Sequence, residues 1–252
     1  MRIAVKMWGI VLGALALAAC GSDGNSGNAG TGGTGGTGGT GGAGGAPTST
    51  VTGVVLNDTG DMPIPVQGAT VGVVGKSISA TTNASGEFTL QNVPNGVVFF
   101  TTSAAGYWGM VDYYDVPGET DVGAVLYVVP DSVIAAFGDA LGRTLQEGDG
   151  AVNITYEGAV GGETGTISAS SDPPVTFNAA EAPVEQSAVI ADMEGYADLI
   201  FSSVDPAEAP ITATVTGAPG ATVCEIDPSP GTTYPLFARS ITVIYANCTP
   251  VP

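Results

Sequence analysis

Three cysteines, Cys20, Cys224 and Cys248, are the residues of this chain best suited to covalent chemistry. A cysteine thiol can be alkylated, can ligate a metal or can join a second thiol in a disulfide. The 252 residues include no histidine, so the commonest metal ligand and the usual base for activating a nucleophile are both missing. An odd number of cysteines indicates one residue with a separate role and one possible pair.

Carboxylates are the second group of reactive side chains, and the chain has 24 of them. A pair such as Asp112 and Asp115 could act as general acid and base, and acids at Asp58 and Asp61 or within 112–121 could bind calcium. Among so many acids such pairs arise by chance, and no EF-hand loop, phosphate-binding loop or Gly-x-Ser-x-Gly motif accompanies them. We therefore predict a protein that is not an enzyme and has no cofactor or metal, with calcium at the acidic segments as the alternative.

Four aromatic residues, Tyr107, Trp108, Tyr113 and Tyr114, lie close together in a segment that also contains acids. Aromatic rings beside carboxylates are typical of sites for sugars or peptides, because the rings stack on the ligand and the acids accept its hydroxyl protons. We interpret the segment as a loop that could bind carbohydrate. The alternative is that the rings cover the open end of a sandwich or an interface between domains.

The charge of the chain excludes nucleic acid as a partner. The formal net charge is −19 at pH 7, and without residues 1–19 three basic residues would stand against 24 acidic ones. Nucleic-acid binding depends on Lys and Arg that neutralise phosphates. An anionic membrane surface would also repel this protein, so any attachment to a membrane has to be covalent or apolar.

The N-terminal segment has the composition of a secretory leader. Two basic residues precede an apolar stretch over 7–19 that is too short to span a bilayer comfortably. The sequence Leu-Ala-Ala-Cys at 17–20 resembles the lipobox of bacterial lipoproteins. This resemblance implies that residues 1–19 are removed and that Cys20 carries lipid, with the outer membrane as the destination because no aspartate follows Cys20 directly. The alternative is an ordinary leader with a chance cysteine.

Residues 20–49 form the next segment, in which Gly, Thr, Ser, Ala and Asn predominate and a Thr-Gly-Gly triplet recurs over 31–42. Nothing in this segment can form a core, and a collagen helix would need more triplets and more proline. We expect a disordered, flexible tether. A random coil of this length spans roughly 30 Å, which is enough to hold a folded domain away from the lipid head groups.

From residue 50 onwards, polar and apolar residues alternate and turn residues recur at the spacing typical of a β-sandwich. Over 50–129 the sequence resembles the carboxypeptidase regulatory-like domain, a transthyretin-like (prealbumin-like) sandwich, in the segments 53–55, 63–71, 81–88, 93–96 and 105–107. We expect Gly86 to supply the positive φ of a tight hairpin and Asn83 to hydrogen-bond the turn. Phe88 and Leu90 should then enter the core. Domains of this family are non-catalytic accessory modules, so the resemblance implies a binding, spacing or structural role.

A short helix and a second sandwich are predicted for the remaining residues. The connector at 130–145 has apolar residues at helical spacing, with Asp131 or Ser132 as the N-cap and Gly142 as the stop. Residues 192–199 then repeat the pattern of 83–90, which indicates a second, divergent sandwich over 146–252.

Cys224 and Cys248 fall in this second sandwich, and in an oxidising compartment we expect them to form a structural disulfide. Two cysteines without histidine are a poor zinc site. The sequence therefore predicts an all-β lipoprotein of the bacterial cell envelope, with two small transthyretin-like sandwiches joined by a short helix. Its expected function is non-catalytic binding or spacing on the surface or periplasmic face of the membrane, with envelope proteins or glycans as partners.

Overall fold

Strands dominate the described part of the chain, which confirms the all-β prediction. The computed structural model describes residues 47–59, 63–118, 122–192, 194–227 and 232–252. The predicted leader, Cys20 and most of the predicted tether lie outside these residues, as do Asp61 and residues 119–121.

In the described residues, seven strands precede a helix and eight strands follow it. The first seven are β1 (Thr48–Asn57), β2 (Thr70–Val73), β3 (Ser79–Thr81), β4 (Glu87–Pro94), β5 (Gly96–Ser103), β6 (Tyr107–Val116) and β7 (Val122–Pro130). Helix α1 spans Asp131–Ala140. The later strands are β8 (Gly150–Glu157), β9 (Thr164–Ile167), β10 (Val175–Phe177), β11 (Pro183–Glu185), β12 (Tyr196–Val204), β13 (Ala213–Thr216), β14 (Thr222–Asp227) and β15 (Ser240–Pro250). A 3-10 helix covers Pro206–Glu208.

The first seven strands form two layers. Strands β3, β2, β5 and β6 lie in that order in one layer, and β4, β1 and β7 form the other. In the second layer β1 is antiparallel to β4 and parallel to β7. Side chains from both layers fill the space between them, and Phe88 and Leu90 are buried there as predicted, with exposed fractions of 4% and 1%.

The strands after α1 repeat this arrangement. Strand β8 is antiparallel to β12 and parallel to β15, as β1 is to β4 and β7. Strand β9 pairs with β13 and β14 with β15, as β2 pairs with β5 and β6 with β7. The short strands β10 and β11 form an additional hairpin beside β12. The common connectivity supports the second, divergent sandwich that the sequence predicts.

Both halves also share one tight turn, before β4 in the first half and before β12 in the second. Oδ1 of Asn83 accepts hydrogen bonds from the backbone N–H groups two and four residues further on. Oδ1 of Asp192 does the same. Each turn has a glycine with positive φ, 73° at Gly86 and 85° at Gly195, which a residue with a Cβ rarely adopts. The predicted roles of Asn83 and Gly86 are confirmed.

One sheet runs through both halves because β6 pairs in parallel with β15, with Gly109 opposite Ser240. The strand order across it is β11-β10-β12-β8-β15-β6-β5-β2-β3. A cluster of apolar side chains from both halves lies at this junction and contains Trp108, Met110, Val129, Ala151, Ile241 and Val243. The described residues therefore belong to one compact unit.

Helix α1 follows β7 directly, and the predicted N-cap is wrong. Pro130 occupies the N-cap position in an extended conformation, and no side chain caps the helix. The carboxylate of Asp131 forms an ion pair with Arg239 instead, at 2.7 Å. Gly142, with a φ of 67°, follows the end of the helix as predicted. Within the described ranges no helix has the length and apolar character needed to cross a bilayer.

Candidate binding groove at the junction of the two halves

The aromatic segment predicted to be a loop is strand β6. The prediction was wrong because the acids of the segment suggest a turn, whereas its tyrosine, tryptophan and valine residues favour a strand. Ladders to β5 on one side and to β15 on the other hold β6 in place. Successive side chains of a strand point to opposite faces, so the four aromatic rings do not form one continuous surface.

Trp108 and Tyr114, two of the predicted site residues, have their contacts inside the protein. Trp108 is 3% exposed and packs in the junction cluster near Val133 of α1. The hydroxyl group of Tyr114 donates to the carbonyl oxygen of Val125 at 2.6 Å and accepts from its N–H at 3.2 Å. Burial raises the pKa of Tyr114 above its usual range. The ring of Trp108 is therefore closed to solvent, and the hydroxyl group of Tyr114 already has its partners.

Tyr113 belongs to a ladder of rings that joins the two halves. Its ring meets Phe99 at 6.4 Å and Tyr245 at 5.6 Å, both edge to face. Phe99 in turn meets Tyr234 at 5.8 Å. Each such pair contributes about 0.5–1.5 kcal/mol beyond its burial. For Tyr113 the arrangement agrees with the alternative stated above, in which the rings fill an interface.

Asp112 is buried beside this ladder, with 5% of its surface exposed. Its carboxylate accepts hydrogen bonds from the N–H of Tyr113 at 2.8 Å and from the hydroxyl group of Tyr245 at 3.2 Å. Burial raises the pKa of Asp112 from 3.8 to about 7. Asp115 is exposed and occupies the opposite face of β6. These two acids therefore cannot act together as a general acid and base on one substrate.

Tyr107 lines an open groove, which we call the junction groove. It lies between the end of β5, the start of β6 and the loop before β15, and its volume is about 400 Å³. Phe237, which is 43% exposed, contributes a second aromatic ring. Gly109 is also part of the lining, and a Cβ at this position would lie 1.9 Å from the carbonyl oxygen of Thr102. Glycine is therefore required where β5 and β6 approach each other in the groove.

Arg239 lies on one side of the junction groove, and acids compensate its charge. The guanidinium donates to both carboxylate oxygens of Asp131, at 2.7 and 2.9 Å, and to Glu147 at 2.7 Å. It also donates to the backbone carbonyl oxygen of Tyr107 at 3.2 Å. These bonds tie α1 and the segment before β8 to the edge of the groove.

Sequence reasoning missed Phe237 and Arg239 as groove residues. Phe237 stands alone between a proline-rich segment and a strand, and more than a hundred residues separate it from Tyr107. The signal that could have identified Arg239 was its rarity, because it is one of five basic residues in the chain.

Cys224 and Cys248 form a disulfide, as predicted, and lie opposite each other in the β14–β15 ladder with a Cα–Cα distance of 4.0 Å. The fully buried Glu163 lies beside them. Its carboxylate accepts hydrogen bonds from two backbone N–H groups of its own loop and from the hydroxyl group of Thr222. Disulfide sulfurs are not thiolates and this carboxylate is already hydrogen-bonded, so the cluster is not arranged to hold a metal.

The acids considered as calcium ligands form no group of three in the part of the chain that the structure describes. The carboxylate of Asp112 accepts hydrogen bonds at the junction, and Asp61 lies outside the described residues. Calcium binding at these segments therefore stays an untested alternative.

Comparison with known proteins identifies the first part of the chain. Residues 50–122 match the family model of the carboxypeptidase regulatory-like domain. This segment is a carboxypeptidase regulatory-like domain. It supplies Tyr107 and Gly109 to the junction groove, whereas Phe237 and Arg239 come from outside the matched residues. No curated protein matches the chain.

Solved structures resemble the chain only distantly. A cohesin–X-dockerin complex from Acetivibrio cellulolyticus is 24% identical, with 40% of this chain and 65% of that chain covered and a TM-score of 0.29. A shaft pilin SpaA variant from Lactobacillus rhamnosus GG is 14% identical over 82% of this chain and 100% of that chain, with a TM-score of 0.26. The Bacillus anthracis TIE protein is 17% identical over 80% of this chain and 34% of that chain, also with a TM-score of 0.26. Scores this low support no conclusion about function.

Proposed function

We propose that this protein is an exported lipoprotein of the bacterial cell envelope, held at the outer membrane through lipid on Cys20, and that it acts as a non-catalytic binding or spacer module. The observation that carries the binding role is the junction groove, an open site whose volume of about 400 Å³ is that of a small-ligand pocket. Its polar and aromatic lining is built by strands of both halves.

The anchor is supported by the order of segments at the start of the chain. An apolar stretch over 7–19 is followed by the lipobox-like sequence at 17–20 and then by a Gly-rich segment. Two acyl chains on Cys20 would hold the protein at a membrane despite its negative charge, because each buried methylene contributes about 0.8 kcal/mol.

The spacer role is supported by the way the two halves are joined. The β6–β15 ladder makes one sheet of both halves, and the aromatic ladder from Tyr234 to Tyr245 packs beside it. A unit built in this way keeps a binding groove at a fixed orientation at the end of its tether.

The absence of catalysis is supported by composition and by geometry. The chain has no histidine. No aspartate or glutamate is among the described residues that line the groove, so the groove offers no carboxylate as general acid or base.

Membrane fractionation tests the anchor. The wild-type protein should sediment with membranes, whereas Cys20→Ser should move to the soluble fraction because no lipid can be attached. Ser22→Ala, which leaves the lipobox-like sequence intact, is the matched control and should stay with the membranes. Membrane association of Cys20→Ser equal to that of the wild type would refute the anchor.

Carbohydrate binding is the second candidate function, and one observation favours it: Tyr107 lines the junction groove together with Phe237. The site predicted from the sequence, which combines Tyr107 with Trp108, Tyr113 and Tyr114, has less support because the last three residues have contacts within the protein. We therefore place a carbohydrate in the junction groove and not along the whole of β6.

The division into domains at 50–129 and 146–252, with a connector at 130–145, is a further part of the proposal. Limited proteolysis tests it. Cleavage should fall within 130–145 and give two fragments that the β6–β15 ladder keeps together until the protein is unfolded, whereas first cleavage inside 50–129 or 146–252 would contradict the division.

A further inference from the structure

We propose that the junction groove binds a single neutral sugar ring, held between Tyr107 and Phe237 and recognised by hydroxyl groups. This inference rests on the proposed binding function and names its ligand class. It also assigns Phe237 and Arg239, from the second half, to a site that the carboxypeptidase regulatory-like domain would lack on its own.

The aromatic residues supply the apolar contact. Phe237 keeps 43% of its surface exposed although it is large and apolar. Tyr107 packs in part against the core of the first half and leaves the rest of its side chain exposed. Both side chains line the same groove. A pyranose has a face made of C–H groups, and an aromatic ring covers such a face because both surfaces are apolar and flat.

The charges around the groove favour a neutral ligand. The guanidinium of Arg239 is bound by two carboxylates, Asp131 and Glu147, so its positive charge is already compensated and attracts an anion only weakly. No acid is among the described residues that line the groove, so a cation finds no carboxylate ligand there. An anionic ligand would also be repelled by a chain whose net charge is −19.

Hydroxyl groups give the groove its polar contacts. Ser103 is exposed at the end of β5, and Tyr107 presents a phenol group. Within the described ranges neither hydroxyl hydrogen-bonds to another residue. A hydroxyl group both donates and accepts, and it therefore matches the hydroxyl groups of a sugar.

The strands around the groove argue against an extended peptide as its occupant. Strand β5 already pairs with β2 and β6, and β6 pairs with β5, β7 and β15. A peptide that adds to a sheet needs an edge with free backbone groups. The groove offers side chains in place of such an edge, and a sugar ring binds through contacts with side chains.

Isothermal titration calorimetry on the full chain in detergent tests the proposal. The probes are neutral hexasaccharides of glucose, mannose and N-acetylglucosamine, with polygalacturonate as the acidic probe and a neutral tyrosine-containing peptide as the third class. We expect at least one neutral sugar to bind with an affinity that changes little between about 0.05 and 0.5 M salt, because no charge is involved.

The variants Tyr107→Ala and Phe237→Ala should each weaken that binding by about tenfold or more, because each removes an aromatic contact. Tyr107→Phe should keep most of it, since the ring remains. Tyr196→Ala is the matched control, because it removes a tyrosine outside the groove and should leave affinity unchanged. Unaltered thermal unfolding of each variant ensures that a loss of binding comes from the groove.

Several outcomes would overturn the inference: no binding of any neutral sugar at about 10 mM, the weak end of small-ligand affinity; binding that both alanine variants leave intact; or binding of the acidic sugar or the peptide alone. None of these affects the anchor, which the Cys20→Ser fractionation tests separately. Hydrolysis of a bound sugar would contradict the non-catalytic function and leave the groove assignment standing.

Discussion

The hydroxyl group of Tyr245 on β15 donates to the buried carboxylate of Asp112 on β6 at 3.2 Å. The ladder between β6 and β15 ends at Val111 and Thr242. The bond joins the two strands just beyond that end. The ion pairs of the described residues involve Arg143 and Arg239 and do not include Asp112. A carboxylate that is buried without a cation favours its protonated form, and the junction should therefore be sensitive to pH.

The contribution of two buried acids to the free energy of unfolding should fall as pH rises from about 4 to about 7. Burial raises the pKa of Asp112 to about 7 and that of Asp198 to about 6. In the folded state these groups hold protons that the unfolded state has already lost, so stability is highest below the unfolded pKa and declines through the folded pKa. For Asp112 the loss is about 2–4 kcal/mol. Urea unfolding followed by Trp fluorescence at several pH values measures it.

Asp112→Asn isolates the contribution of this residue. Relative to the wild type, the variant should gain about 2–4 kcal/mol between pH 4 and pH 8, because an amide cannot ionise. Asp115→Asn, an exposed acid on the same strand, is the control and should show no such change. If the difference in unfolding free energy between Asp112→Asn and the wild type stays constant over this pH range, the pKa of Asp112 is not raised by burial.

Two tyrosine hydroxyl groups should differ in their contribution to stability. The hydroxyl of Tyr114 bonds to both backbone groups of Val125, whereas that of Tyr234 is buried and has no hydrogen-bond partner in the described residues. Tyr114→Phe should lower the free energy of unfolding by about 1–3 kcal/mol, and Tyr234→Phe should leave it unchanged or raise it slightly. Equal effects in urea unfolding would show that the hydrogen bonds of Tyr114 do not stabilise the fold.

The repeated turn predicts unequal costs for two equivalent substitutions. Gly86→Ala and Gly195→Ala both place a Cβ at positive φ, which costs about 1–2 kcal/mol. At Gly86 the added Cβ would also lie 2.8 Å from the carbonyl oxygen of Val55, whereas the nearest atom at Gly195 is 3.5 Å away. Gly86→Ala should therefore be the more destabilising of the two. Gly123→Ala, in open space with an ordinary φ, is the control. A larger loss for Gly195→Ala than for Gly86→Ala would contradict the closer packing around Gly86.

Reduction of the disulfide should lower stability by about 3 kcal/mol, because the bond between Cys224 and Cys248 restricts the unfolded chain. Urea unfolding with and without reductant measures the loss, and the double variant Cys224→Ala/Cys248→Ala should be insensitive to reductant. Two free thiols in the exported protein, detected by mass spectrometry without reductant, would refute the bond.

Local features were predictable from the sequence because they depend on residues close together in the chain. Asn83 and Gly86 form the expected turn, and the similar residues at 192–195 indicate the same turn in the second half. The motifs and their order were sufficient to identify the carboxypeptidase regulatory-like domain, which was predicted over 50–129 and matches the family model over 50–122.

The junction and its groove were not predictable in the same way. Gly109 and Ser240 become neighbours through a parallel ladder that brings the ends of the two halves together. No periodicity in either strand indicates that partner, because alternation shows which face of a strand is buried and not what covers it. The acids of the aromatic segment also favoured the prediction of a loop, whereas long-range pairing makes this segment strand β6.

Mass spectrometry of the intact protein extracted from membranes reports directly on the lipid anchor. We expect a chain that begins at Cys20 and carries a thioether-linked diacylglycerol on that residue. A protein that retains residues 1–19, or that begins at Cys20 with no lipid attached, would contradict the anchor.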